Sequence, residues 1–217
     1  MEKRNNNLAI SLILLFMFAL ATAAWTGFNA GLVMSENQIQ GTVLSEAKTI
    51  DAFALIDNKQ RPFTLQNLKD KWSILFFAYT RCADDCATTM DTLKQVHELF
   101  TSHHAEPLQV VFVSVDSARD KPEKLDEYLS DFGDDFVGVT GSADGLEKFA
   151  GNLGAGNPGS HFKKPAITSG NTGIDDTLIE HTTSLILVNP EAKVTAILSA
   201  PHRVADLHND IMTIIDN

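Results

Sequence analysis

Cysteine is nearly absent from this chain: its 217 residues contain two, Cys82 and Cys86. That leaves at most one internal bridge. It also argues against a closed zinc site, which takes four ligands and is typically rich in cysteine. Basic residues are also scarce, with 17 Lys and Arg against 28 Asp and Glu and a formal net charge of −11. Nucleic-acid partners need a basic surface and are excluded on that ground. Acidity alone names no other partner. No internal repeat is present. Hydrophobic content of 44% is ordinary for a globular chain, and the length suits one medium-sized domain plus a tail.

Charge of either sign is missing from Asn5 to Ser35, and Leu8 to Trp25 is nearly all apolar. A membrane-spanning helix needs about 20 such residues. Lys3 and Arg4 precede the run, so the expected orientation keeps the N-terminus in the cytoplasm and sends the rest outward. Residues 1–34 therefore read as a membrane anchor. A signal peptide is the rival, because Ala21-Thr22-Ala23 resembles a cleavage site. Either reading puts the remainder in a compartment that permits disulfides. Two basic residues and Glu2 fit a mitochondrial transit peptide poorly, so the expected location is a bacterial inner membrane with the folded part in the periplasm. Residues 35–50 read as a polar tether, and 51–217 as the folded domain.

Within that domain, Phe53 to Ile56 and Phe63 to Leu65 flank the turn formers Asp57-Asn58-Lys59-Gln60, which predicts a hairpin. Trp72 to Tyr79 and Leu108 to Val115 are apolar runs of the kind found in strands covered on both faces. Helical spacing predicts helices over 84–102, 123–132, 142–153 and 203–215, with a short strand at 136–139 and a second hairpin over 183–199. Asp120, Pro122 and Glu123 read as a helix start with a capping aspartate. Asp116 ends a buried strand on the edge where α/β sites usually lie. Gly154 to Glu180 is a long loop rich in Gly, Asn, Ser and Thr. The order predicts an α/β fold, a mixed sheet flanked by helices.

The two cysteines stand four apart, between the first long strand and the helix after it. Residues i and i+4 share one helix face, so thiols spaced this way are able to converge. Unpaired N–H groups at a helix start lower a thiol pKa, and the neighbouring Asp84 and Asp85 oppose this. Three chemistries stay open: disulfide exchange, capture of a soft metal ion, and a purely structural bridge. A cysteine pair ending a strand and opening a helix is the thioredoxin arrangement, although the usual redox spacing is one residue shorter. His181 immediately precedes the buried strand of the second hairpin. In a thioredoxin-like sheet that approach lies next to the cysteine helix. Two thiolates and an imidazole suit Cu(I), and admit Cu(II) with a further ligand. His97, His161, His202 and His208 read as structural or surface residues.

Further residues then fall into a pattern. Trp72 to Cys82 with Cys86 is one part. Ser114-Val115-Asp116 with Arg119-Asp120 and Pro122 is another. Thr140-Gly141, His181-Thr182 and Asn189-Pro190 complete it. Together, over about residues 50–216, the chain resembles the Sco/SenC copper-handling family. The resemblance implies a thioredoxin-like domain with a membrane anchor, binding copper through Cys82, Cys86 and His181. It implies help in assembling the copper A centre of cytochrome c oxidase, the partner being the copper-receiving subunit or another envelope copper protein. A thiol-disulfide oxidoreductase using Cys82 and Cys86 on such a client is the alternative. The chain departs from the family in having Ala83 and Ala87 where prolines are usual, Asp85 where an apolar residue is usual, and Phe162 as the sole aromatic of 154–180. These changes touch the docking surface and leave the ligand set intact.

Overall fold

The computed structural model describes residues 15–20, 22, 25, 39–82, 84–103, 107–153 and 184–216. The chain divides into two units, Met1–Gln38 and Ile39–Asn217. In the first, the described residues between 15 and 25 are helical and exposed. Among the described residues no helix is long and apolar enough to cross a membrane. The expected spanning helix is therefore not borne out, since the described part of the apolar run is too short; the rest of that run lies outside the described residues.

The second unit is built on one sheet of eight strands. They are β1 (Gly41–Thr49), β2 (Ala54–Asp57), β3 (Pro62–Thr64), β4 (Trp72–Ala78), β5 (Leu108–Ser114), β6 (Phe136–Thr140), β7 (Leu185–Val188) and β8 (Lys193–Leu198). Their order across the sheet is β1-β8-β7-β4-β5-β6-β2-β3. The helices are α1 (Asp84–His103), α2 (Pro122–Leu129), α3 (Ala143–Leu153) and α4 (Val204–Ile215). The centre, β4-β5-β6, is parallel, and β7, β8, β2 and the edges run antiparallel. This is the mixed sheet expected from the sequence.

Every residue of β4 and β5 is buried. Side chains alternate across a strand, so each strand feeds two cores. Ile74 and Phe76 face the layer of α1, α2 and α4, with Met90, Leu93, Phe100, Leu125 and Ile211. Leu75 and Phe77 face α3, with Leu146 and Phe149. Burying a large apolar side chain is worth about 1.5–3 kcal/mol. The two central strands are thus the most firmly held elements, and what leaves their ends is held with them.

The predicted hairpin forms between β2 and β3 and joins the sheet through β6. Asp57 closes its turn, Oδ1 accepting the N–H groups of Lys59 at 2.9 Å and Arg61 at 2.8 Å. Residues 41–49, read as part of a tether, are instead the edge strand β1, paired with β8 from Gly41↔Leu198 to Thr49↔Lys193. Nearly all of β1 is exposed, so it carries no apolar alternation to read. Gly41 is required by contact, because a Cβ there would sit 2.3 Å from the Ile197 carbonyl oxygen.

Asp210 of α4 ties that helix to the approach to β1, its Oδ2 accepting the Gln40 N–H at 3.0 Å. Burial raises the Asp210 pKa, the Gln40 N–H opposes the rise, and Asp206 adds to it. A raised carboxyl pKa favours the fold in the protonated form, and that contribution is lost as pH rises through the folded pKa. At neutral pH the charge is therefore a cost. Asp210→Asn keeps an acceptor for Gln40 and removes the charge. Its thermal midpoint at neutral pH is expected above wild type by a few degrees, at about 2–4 °C per kcal/mol. The gap should close below the ordinary aspartate range of about 3.9. Thermal melts at the two pH values check it.

Candidate functional site: a cysteine pair at the end of the central strand

The chain leaves β4 at Tyr79 and turns at once. The Cys82 N–H donates to the Tyr79 carbonyl at 3.0 Å, closing the turn 79–82. α1 begins at Asp84, so Cys82 lies in the loop before the helix and Cys86 lies in its first turn. The expectation that both cysteines share a helix face is corrected accordingly. The turn, and not helical spacing, brings Cys82 back over the helix start. The two are joined as a disulfide with their Cα atoms 5.8 Å apart, within the usual range for a bridge. Their environments differ. Cys86 is 1% exposed and packed in the α1 core, whereas Cys82 is half-buried and touches both cores. Cys86 also sits in the first turn of a helix, where the helix dipole favours a thiolate.

Behind this loop lies a polar cluster that the sequence reading did not assemble. Asp120 is 1% exposed. Its Oδ1 accepts the Thr80 hydroxyl at 2.6 Å, and its Oδ2 accepts the Thr80 N–H at 2.9 Å and the Ser114 hydroxyl at 2.7 Å. It is not the helix cap expected of it. The N-cap of α2 is Lys121, with no side-chain cap, and the Asp120 carboxylate points back across the sheet edge. Asp116 is buried as well, ion-paired with the Arg119 guanidinium, and its N–H donates to Ser114 Oγ at 3.1 Å. Its backbone carbonyl accepts the Asp120 N–H at 2.8 Å. That accounts for Asp116 as the keystone of the loop after β5. Thr80 and Ser114 had one common signal in the sequence, being polar residues at or just past the ends of buried apolar runs, whereas Asp120 had none.

β7 runs antiparallel to β4 with Leu185 opposite Phe76. The chain therefore enters β7 on the same sheet edge at which β4 gives way to the cysteine turn. His181 comes four residues before Leu185 and lies outside the described residues, as do His161 and 154–180. Among the described residues no group of three or more His, Cys, Asp or Glu is placed to hold a metal ion. The described donors at this edge are the two sulfurs. His97, expected to be structural, has its ring against Phe136 and its Nε2 3.4 Å from Asp135.

The chain matches the SCO1/SenC family model over residues 42–216. It is 30% identical over 181 residues to a Stutzerimonas stutzeri protein named for copper binding, across 83% of this chain and 84% of that one. It is 35% identical over 142 residues to the mitochondrial protein SCO2 of Saccharomyces cerevisiae, across 65% of this chain and 44% of the yeast protein. The chain thus spans less than half the length of that yeast relative. Two solved structures are similar at closely matching TM-scores. Copper-bound yeast Sco1 gives 0.67 at 27% identity, over 78% of this chain and 90% of that one. Apo Sco1 of Thermus thermophilus gives 0.66 at 31% identity, over 84% and 98%.

Proposed function

This chain belongs to the SCO1/SenC family, and from that premise we propose that it is a copper chaperone holding one copper ion between Cys82, Cys86 and His181. The proposed client is the copper A centre of cytochrome c oxidase, at the outer face of a bacterial inner membrane, with residues 1–34 as the anchor. The observation that carries the reading is the convergence of two sulfurs at the edge where β7 begins. His181 precedes β7 by four residues, and four residues of extended chain span at most about 13–14 Å, a reach that supports an imidazole ligand from that side. Two thiolates with one imidazole form a soft donor set that favours Cu(I) over the harder divalent ions.

The disulfide form offers copper no thiolate. A thiol donor must first deliver two electrons and two protons, converting the bridge into two thiols, which copper then deprotonates on binding. Cu(I) titrated into the reduced protein should bind one equivalent tightly near neutral pH. The oxidised protein should bind it far more weakly. Affinity of the reduced form should fall as pH drops, because protons compete with copper for the thiolates and for the imidazole. Equal binding by both redox forms would defeat the proposal.

The unequal burial of the two sulfurs supports a second activity at the same place. A reduced Cys82 is the sulfur a partner can reach. Its thiolate attacks a client disulfide and releases one client thiol. Cys86 then attacks the Cys82 side of the mixed disulfide and releases the second. The client leaves as a dithiol and the Cys82–Cys86 bridge reforms, so reduction of the client's ligands and copper delivery are successive uses of one pair, with a thiol donor supplying two electrons and two protons to reopen the bridge between them.

A further inference from the structure

We propose that Asp120 is a positioning residue that holds the Cys82 turn in its bridging geometry when the disulfide is open. This rests on Cys82 and Cys86 being the working pair, and it goes beyond their identity to what keeps them apart by the right distance. Three features carry it. Asp120 is fully buried and far from Cys82 in sequence, yet its carboxylate accepts hydrogen bonds from Thr80 and Ser114. Thr80 is the second residue of the turn that the Cys82 N–H closes on Tyr79, and Asp120 takes both its N–H and its hydroxyl. Ser114 is the last residue of β5, so the carboxylate is itself fixed to a strand buried along its whole length.

The chain of contacts runs from the rigid centre of the sheet through Ser114 and Asp120 to Thr80, and thence to the turn that ends at Cys82. Hydrogen bonds to a buried ionised group are among the stronger ones and are costly to leave half made. In the disulfide form the covalent bond keeps the sulfurs together with the clamp in place beside it. In the dithiol form nothing covalent does, and this clamp sets how often Cys82 stands opposite Cys86. Ordering two groups beforehand raises their effective concentration towards one another. Loosening the clamp therefore disfavours ring closure and leaves the bridge easier to reduce.

The test is the thiol–disulfide equilibrium of the full chain with glutathione. One protein dithiol and one oxidised glutathione give one protein disulfide and two glutathione thiols, so atoms and electrons balance. Thr80→Val keeps the volume and the N–H but deletes the hydroxyl donor. It is expected to lower the equilibrium constant for bridge formation about tenfold, which is about 30 mV for a two-electron couple. Thr80→Ser restores the hydroxyl and should return the constant to within about threefold of wild type, whereas a merely structural site would track the thermal midpoint instead. Asp120→Asn keeps an acceptor for the Thr80 N–H but removes the negative charge that all three donors face, and should lower the constant in the same direction as Thr80→Val. If both Thr80→Val and Asp120→Asn, folded by thermal melt, stay within threefold of wild type, the clamp is overturned. No copper enters this measurement, so its failure leaves the copper site untouched, and failure of the copper site leaves the clamp to stand on its own result.

Discussion

Cys86→Ala is expected to abolish tight copper retention and thiol–disulfide exchange together while leaving a folded protein. The two losses have separate causes. For copper, four-ligand structural sites bind with about 10–16 kcal/mol, or roughly 3 kcal/mol per ligand, so removing one sulfur should weaken Cu(I) binding by at least about a hundredfold. For exchange, a lone Cys82 forms a mixed disulfide with a client and has no partner to resolve it. The protein should accumulate as a trapped adduct, visible by mass spectrometry. The cost to folding is small by comparison. The bridge spans a sequence separation of four. Chain entropy assigns such a short loop about 2 kcal/mol, and Cys86 contributes one small side chain to a core already filled by Met90, Leu93 and Phe112. A Cys86→Ala protein that kept wild-type copper affinity would show that the buried sulfur is not a ligand.

His181→Ala is expected to divide the two activities that Cys86→Ala removes together. The imidazole is a ligand in the chaperone reading and a bystander in the exchange reading. Copper affinity should drop by about a hundredfold on the same per-ligand reckoning. The rate of client disulfide reduction should stay within about threefold of wild type, because attack depends on Cys82 and resolution on Cys86. Competition titration against a Cu(I) chelator reads the first quantity, and consumption of a disulfide substrate reads the second. Loss of exchange with copper affinity intact would reverse the assignment, making His181 an acid–base group for the thiols.

Much of the fold was legible because the central strands are buried on both faces. Trp72 to Ala78 and Leu108 to Ser114 carry apolar runs broken only by Ser73, Gln109 and the terminal Ser114, and α1 carries Met90, Leu93, Val96 and Phe100 at helical spacing. β1 was not legible, since exposure on both sides removes any pattern and the strand is specified by its pairing with β8. Asp120 was misread for a different reason. Its local context, followed by Pro122 and Glu123, is that of a helix start, but a residue 40 positions earlier supplies better donors, and sequence-local rules do not see it. The cysteine pair was legible from scarcity alone. Its geometry was not, because a spacing of four is equally at home along one helix and across a turn into one.

The most direct measurement is X-ray absorption at the copper edge of the Cu(I)-loaded wild-type protein beside Cu(I)-loaded His181→Ala. Two sulfur neighbours and one imidazole nitrogen are predicted for the wild type, with the nitrogen scattering lost and both sulfurs kept in the variant. A wild-type shell with fewer than two sulfurs, or an imidazole signal that survives the substitution, would contradict a copper site made by Cys82, Cys86 and His181.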